Sequence, residues 1–160
     1  MAVKEGDKVP SAKLKVKTSD GIKDVNTDEY FKGKKVVLFA LPGAFTPTCS
    51  AKHVPGFVQN HDQLKQKGVD KIACVSVNDA FVMEAWGRDQ KCDSKVDMLA
   101  DGNADFTKAM GLELDARGNG MGIRSRRYAM VVDDGVIKKL NVEEPGAFDV
   151  SSAESVLKAL

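Results

Sequence analysis

The stretch Lys34-Lys35-Val36-Val37-Leu38-Phe39-Ala40-Leu41-Pro42-Gly43 decides the fold. Val36 to Leu41 is an unbroken apolar run with no polar alternation, which predicts a strand buried on both faces, and Pro42-Gly43 ends it. A second run of the same kind, Ile72-Ala73-Cys74-Val75-Ser76-Val77, follows a segment of helical pattern that closes near Gly68. Buried strands joined by a helix imply parallel pairing through a crossover connection.

The rest of the chain fits around this pair. Asn78 or Asp79 is placed to cap a helix whose Phe81, Val82, Ala85 and Trp86 share one face. Val96 to Ala100 predicts a short strand, and Phe106, Ala109 and Met110 mark a short helix. Tyr128–Val132 and Val136–Leu140 flank Asp134-Gly135, a dipeptide suited to a tight hairpin. Ser151-Ser152-Ala153-Glu154 has the form of a capping box opening a last helix, with Val156, Leu157 and Leu160 inward. Near the start, Ala12-Lys13-Leu14-Lys15-Val16 alternates as an edge strand does. This order predicts an α/β, thioredoxin-like fold with a mixed central sheet flanked by helices, in a single domain spanning 1–160.

Composition narrows the function classes. Lys plus Arg number 24 against 23 Asp plus Glu, so the net charge of +1 gives no support to a nucleic-acid or anionic-membrane partner. The longest apolar run is far shorter than the ~20 residues a membrane span needs. The N-terminal Met1-Ala2-Val3-Lys4-Glu5-Gly6-Asp7-Lys8 is charged where a secretion signal would be apolar. Three cysteines, Cys49, Cys74 and Cys92, are too few and odd in number for a disulfide scaffold. They contain no C-x-x-C, and with only His53 and His61 to help they do not make a structural zinc site, so no metal is expected. A reducing compartment fits, and the cytoplasm is expected; the mature form of an organellar protein is the alternative. Cys92, within Gln90-Lys91-Cys92-Asp93-Ser94-Lys95, is expected to be exposed and incidental.

Chemistry concentrates in Leu41-Pro42-Gly43-Ala44-Phe45-Thr46-Pro47-Thr48-Cys49, directly after the first buried strand, where open α/β sheets place their sites. Pro47 suits the first helical position, which makes Thr46 the N-cap and puts Cys49 at the third position. A thiolate there faces unpaired backbone N–H groups and the positive end of the helix dipole, and the Thr46 hydroxyl is expected to turn toward the same sulfur. Thiolate formation alone does not make a fast enzyme. Lowering a thiol from pKa ~8.5 to ~6 gains about thirteenfold in thiolate near pH 7.4. The accompanying fall in nucleophilicity, ~0.4–0.5 per unit, takes back about the same factor. Donors that position a substrate and stabilise its leaving group are therefore required.

Pro42-x-x-x-Thr46-x-x-Cys49 resembles the active-site signature of peroxiredoxins. Gly43 to Ser50, His53-Val54-Pro55-Gly56-Phe57, Val77-Asn78-Asp79, Gly122 to Met130 and Val150 to Glu154 resemble their type II, peroxiredoxin-5-like subfamily, across essentially the whole chain. The resemblance implies a thiol peroxidase acting on hydrogen peroxide and organic hydroperoxides, with Cys49 attacking the O–O bond and becoming a sulfenic acid. It implies that Thr46 orients the peroxide, Pro42 shields the pocket, and Arg127 supplies positive charge. Alternation puts Arg127 on the strand face of Ala129 and Val131, although clusters such as Arg124, Arg126 and Arg127 are usually solvated. Cys74, a small residue within a continuous apolar strand, is expected first as core packing, although it matches the cysteine to which a resolving role is attributed in plant-like members. The C-terminal cysteine of animal-type members has no counterpart between Pro145 and Ser152. His53, about one turn beyond Cys49, either shapes the pocket or packs in the core. The resemblance further implies re-reduction by glutaredoxin or glutathione, with thioredoxin as the rival donor, no cofactor, and a homodimer. The competing classes are a thiol–disulfide oxidoreductase, disfavoured by the missing C-x-x-C, and a redox-responsive, non-catalytic binding or chaperone protein.

Overall fold

The computed structural model describes residues 1–160. Its strands are β1 (Lys13–Thr18), β2 (Gly21–Asn26), β3 (Lys35–Ala40), β4 (Lys71–Ser76), β5 (Asp97–Ala100), β6 (Glu113–Asp115), β7 (Ile123–Ser125), β8 (Tyr128–Asp133) and β9 (Val136–Val142). The α-helices are α1 (Thr27–Tyr30), α2 (Val54–Gln59), α3 (His61–Gln66), α4 (Ala80–Asp89), α5 (Asp105–Met110) and α6 (Ala153–Ala159). A seven-stranded sheet runs in the order β2-β1-β5-β4-β3-β8-β9, and β6 with β7 forms a separate small ribbon. The apolar runs are β3 and β4, parallel at the centre, with β4 parallel to β5 and β8 antiparallel to β3. This is the mixed, thioredoxin-like α/β sheet that the apolar runs predict.

Alternation along the strands divides the core into two layers. Val37 and Phe39 of β3 join Ala129 and Val131 of β8, together with Phe57, Trp86 and Val156, on one face. Val36, Leu38 and Ala40 join Tyr128, Met130 and Val132, with Phe31 and Phe106, on the other. Cys49 belongs to the first layer, and so does the strand face on which Arg127 stands.

Several local expectations shift. β1 is not an edge strand, because β5 pairs with its other side through Lys15 and Ala100; β2 takes the edge. Asp79 caps α4, its Oδ1 accepting from Val82 N at 2.8 Å. The buried stripe of that helix is Ala80, Met83, Trp86 and Gly87, rotated from the expected face, so Phe81 stands 60% exposed. The last helix is capped by Ser152, which accepts from Ser155 N, one residue later than the expected capping box, because Ser151 is engaged elsewhere. The β8–β9 hairpin turns at Asp134 (φ 48°) and Gly135 (φ 80°), the left-handed pair that a tight two-residue turn requires. No helix is long and apolar enough to cross a membrane.

Candidate active site

Strand β3 ends at Ala40, and the chain turns through Pro42 and Gly43 toward the helix that carries Cys49. Helical structure begins at Pro47, and the Thr46 carbonyl accepts its first backbone bond, from Ser50 N at 3.0 Å. Thr46 is thus the N-cap and Cys49 the third helical residue, as the spacing predicts. The helix then widens: Cys49–His53 is a π-turn in which Val54 N bonds back to the Cys49 carbonyl. The Thr46 hydroxyl does not donate to the sulfur as expected; it donates to the Gly43 carbonyl at 2.7 Å, closing the loop on itself.

Cys49 is fully buried. Arg127 Nη2 donates to its Sγ at 3.1 Å, and Arg127 Nη1 donates to His53 Nδ1 at 2.8 Å. The ring of Phe148 lies 5.9 Å from the guanidinium carbon, over the charge. Burial, seconded by the Arg127 charge, pushes His53 down to about 3, so its ring is neutral and free to accept from the guanidinium. His53 is therefore part of the site, one of the two roles its position allowed.

The three arginines are not a solvated cluster. Arg124 donates to the carbonyls of Met121 and Pro42 at 2.9 and 3.2 Å, pinning the loop before Cys49. A Cβ at Gly43 would lie 2.6 Å from Arg124 Nη1, so only glycine leaves that pin in place. Arg126 donates to the Glu143 carbonyl at 3.1 Å. Half-buried Pro42 lines a cavity of about 170 Å³ with Thr48, Leu114, Arg126, Ala147 and Arg127, the residue that also bonds the thiol. Across the loop, Ala44 N and Ser76 Oγ both donate to Asn78 Oδ1, and Trp86 Nε1 donates to Ser50 Oγ at 3.0 Å.

The other cysteines are both inside. Cys74 sits mid-strand in β4, fully buried, and burial, then the Cys92 and Cys49 charges, push its thiol well up. Cys92 corrects the expectation of an exposed loop residue. It is only 1% accessible, turned inward between Lys91 (φ 56°) and Asp93 (φ 48°), and burial pushes it up to about 11. Hydrophilic neighbours in sequence misled here, because the left-handed residues on either side rotate those neighbours outward and the thiol in. Sequence reasoning also missed Glu143, Ser151 and Phe148, which reach the site only through the path of the chain after β9. No group of three or more His, Cys, Asp or Glu side chains converges as metal ligands would.

A buried thiol in the first turn of the helix that follows a central strand, faced by a guanidinium, is the arrangement of a thiol-based redox protein of thioredoxin-like fold. Comparison with known proteins agrees. The redoxin family profile matches residues 4–157. Chloroplastic peroxiredoxin-2E of Arabidopsis thaliana is 54% identical over 163 residues, covering 99% of this chain and 70% of the relative. The crystal structure of reduced Prx3 from Vibrio vulnificus in complex with H2O2 superposes with a TM-score of 0.95 at 56% identity, over 98% of each chain. That of the Plasmodium falciparum antioxidant protein, described as a 1-Cys peroxiredoxin, does so with a TM-score of 0.90 at 30% identity, over 98% of each chain.

The chain belongs to the redoxin family, among the type II peroxiredoxins. It is a thiol-dependent peroxidase: it takes peroxide substrates and is returned to the reduced state by a thiol.

Proposed function

We propose that Cys49 is the peroxidatic residue, on the strength of one observation: the Arg127 Nη2–Cys49 Sγ bond of 3.1 Å. The thiolate attacks the terminal oxygen of the hydroperoxide and the O–O bond breaks. Sulfur is oxidised by two electrons to the sulfenic acid, and the alkoxide or hydroxide leaves and takes up a proton. Arg127 holds the thiolate beforehand and stands beside the oxygen on which negative charge develops. The Thr46 hydroxyl proton is committed to Gly43, so its oxygen faces the substrate as an acceptor for the peroxide O–H. Pro42, half-buried on the cavity wall, limits the water that reaches the sulfur.

The sulfenic acid is then attacked by an external thiol, releasing water and leaving a mixed disulfide that a second thiol reduces. Glutathione or a glutaredoxin is the donor we favour, with thioredoxin as the rival. Support comes from Cys74, locked mid-strand with a raised thiol, and from the absence of any cysteine in the loop from Pro145 to Ser152. Three unpaired cysteines suit a reducing compartment, and we place the protein in the cytoplasm on that ground. We also propose a homodimer. Phe45 in the active-site loop and Phe81 in the first turn of α4 are 54% and 60% exposed, and the Ala44–Asn78 bond ties that loop to the residues just before the helix; a second copy would cover this aromatic pair.

The test is peroxide consumption with dithiothreitol, followed by intact mass after one equivalent of peroxide. Wild type should gain the mass of one oxygen or one donor thiol, and Cys49→Ser should be inactive and unmodified. Substantial turnover by the variant would remove Cys49 from the role.

A further inference from the structure

The loop after β9 reaches the thiol through a chain of hydrogen bonds that begins at Glu143. This buried carboxylate accepts, at a single oxygen, from Asp149 N, Ser151 N and Ser151 Oγ at 2.6, 2.9 and 2.6 Å. Burial would raise its pKa, but the donors of Ser151, Asp149 and Val150 outweigh it and hold the carboxyl below its ordinary value. The carboxylate so fixes the backbone of Ser151, whose carbonyl lies 3.0 Å from His53 Nε2.

Each link has only one polarity. A carbonyl can only accept, so the His53 proton is on Nε2 and Nδ1 is bare. Nδ1 therefore accepts from Arg127 Nη1 at 2.8 Å. A guanidinium is planar and rigid, so holding Nη1 fixes where Nη2 points, and it points at Cys49 Sγ. The same loop lays Phe148 against both the Arg127 charge and the His53 ring, whose centroid is 5.1 Å away. Glu143 N also donates to the Arg127 carbonyl at 2.9 Å, so backbone and side chain of one residue hold opposite ends of Arg127's surroundings.

We propose that Glu143 is a positioning residue for the peroxidase reaction: through the Ser151 carbonyl and the His53 ring, its carboxylate sets the direction in which Arg127 faces Cys49. The inference rests on the reading of Arg127 given above. Glutamine at 143 keeps size and one acceptor but loses the charge that gathers three donors.

The experiment is a double-mutant cycle on the oxidation step alone, followed by the fluorescence of Trp86, the single tryptophan, whose Nε1 bonds Ser50 next to the thiol. Glu143→Gln should slow oxidation by hydrogen peroxide about tenfold, within the hundredfold that a 1 Å misplacement can cost. Added to Arg127→Gln, it should slow the reaction no further. Ser151→Ala, which removes one of the three donors and keeps the backbone N–H, should show a smaller loss that Arg127→Gln likewise cancels; it carries the test if Glu143→Gln does not fold. Wild-type speed in both variants, or an equal loss with and without Arg127, overturns the proposal. If Arg127→Gln itself oxidises at wild-type speed, the reading of Arg127 fails first and the role of Glu143 with it.

Discussion

Arg127 Nη2 stands 3.1 Å from Cys49 Sγ across 78 positions of sequence, joining the start of β8 to the helix after β3. The contact is possible because Arg127 precedes β8 on the same alternation as Ala129 and Val131, which face the layer that holds Cys49. It puts a guanidinium charge against the sulfur, the charge that the proposed peroxidatic step calls for.

Removing that charge should therefore be costly. Arg127→Gln is expected to slow oxidation of Cys49 by about 10²–10³, the range for losing one preorganised donor at a reacting centre. Stopped-flow measurement at neutral pH checks this, and a loss under threefold would contradict it.

Cys92 is a stability residue. Serine there places a hydroxyl in an apolar layer, and an unsatisfied buried polar group costs about 1–3 kcal/mol. Urea unfolding of Cys92→Ser should show that loss with the peroxide rate unchanged. Unaltered stability would mean the thiol is exposed in solution.

His53 makes the fold acid-sensitive. Its folded pKa is depressed from 6.5 to about 3 by burial and then Arg127, so the unfolded chain binds more protons between those values and stability falls as pH drops through that window. At about 1.4 kcal/mol per unit, going from pH 6.5 to 5 should cost about 2 kcal/mol from this group. His53→Gln should lose that part of the slope. The depressed Glu143 contributes stability above its ordinary value of 4.5 and loses it only below, outside this range. The raised Asp101 works in the opposite sense, equally in both proteins. Parallel slopes for wild type and variant between pH 7 and 5 would refute the assignment.

Turnover should not need Cys74. A disulfide to Cys49 requires Cα atoms within ~7 Å or local unfolding. Cys74→Ala is expected to keep most glutathione- or glutaredoxin-linked activity. Non-reducing peptide mapping of the wild type after one equivalent of peroxide should find no dominant Cys49–Cys74 bond; that bond in most molecules would make Cys74 the resolver.

The sequence by itself determined the central sheet, because uninterrupted apolar runs such as Val36–Leu41 and Ile72–Val75 can be satisfied only between two covered faces. It also determined the N-terminal placing of Cys49, since Pro47 and Thr46 set the helix start through local geometry. What depended on rotation about a helix or turn was not legible: the buried stripe of α4 moved off Phe81, and Cys92 turned inward between two left-handed residues. Only the tertiary structure decided that three neighbouring arginines have three separate targets, that the Thr46 hydroxyl serves Gly43, and that Glu143 and Ser151 reach the site through His53. These are directional bonds between residues far apart in the chain, and neither periodicity nor propensity carries information about which donor meets which acceptor once the layers have closed.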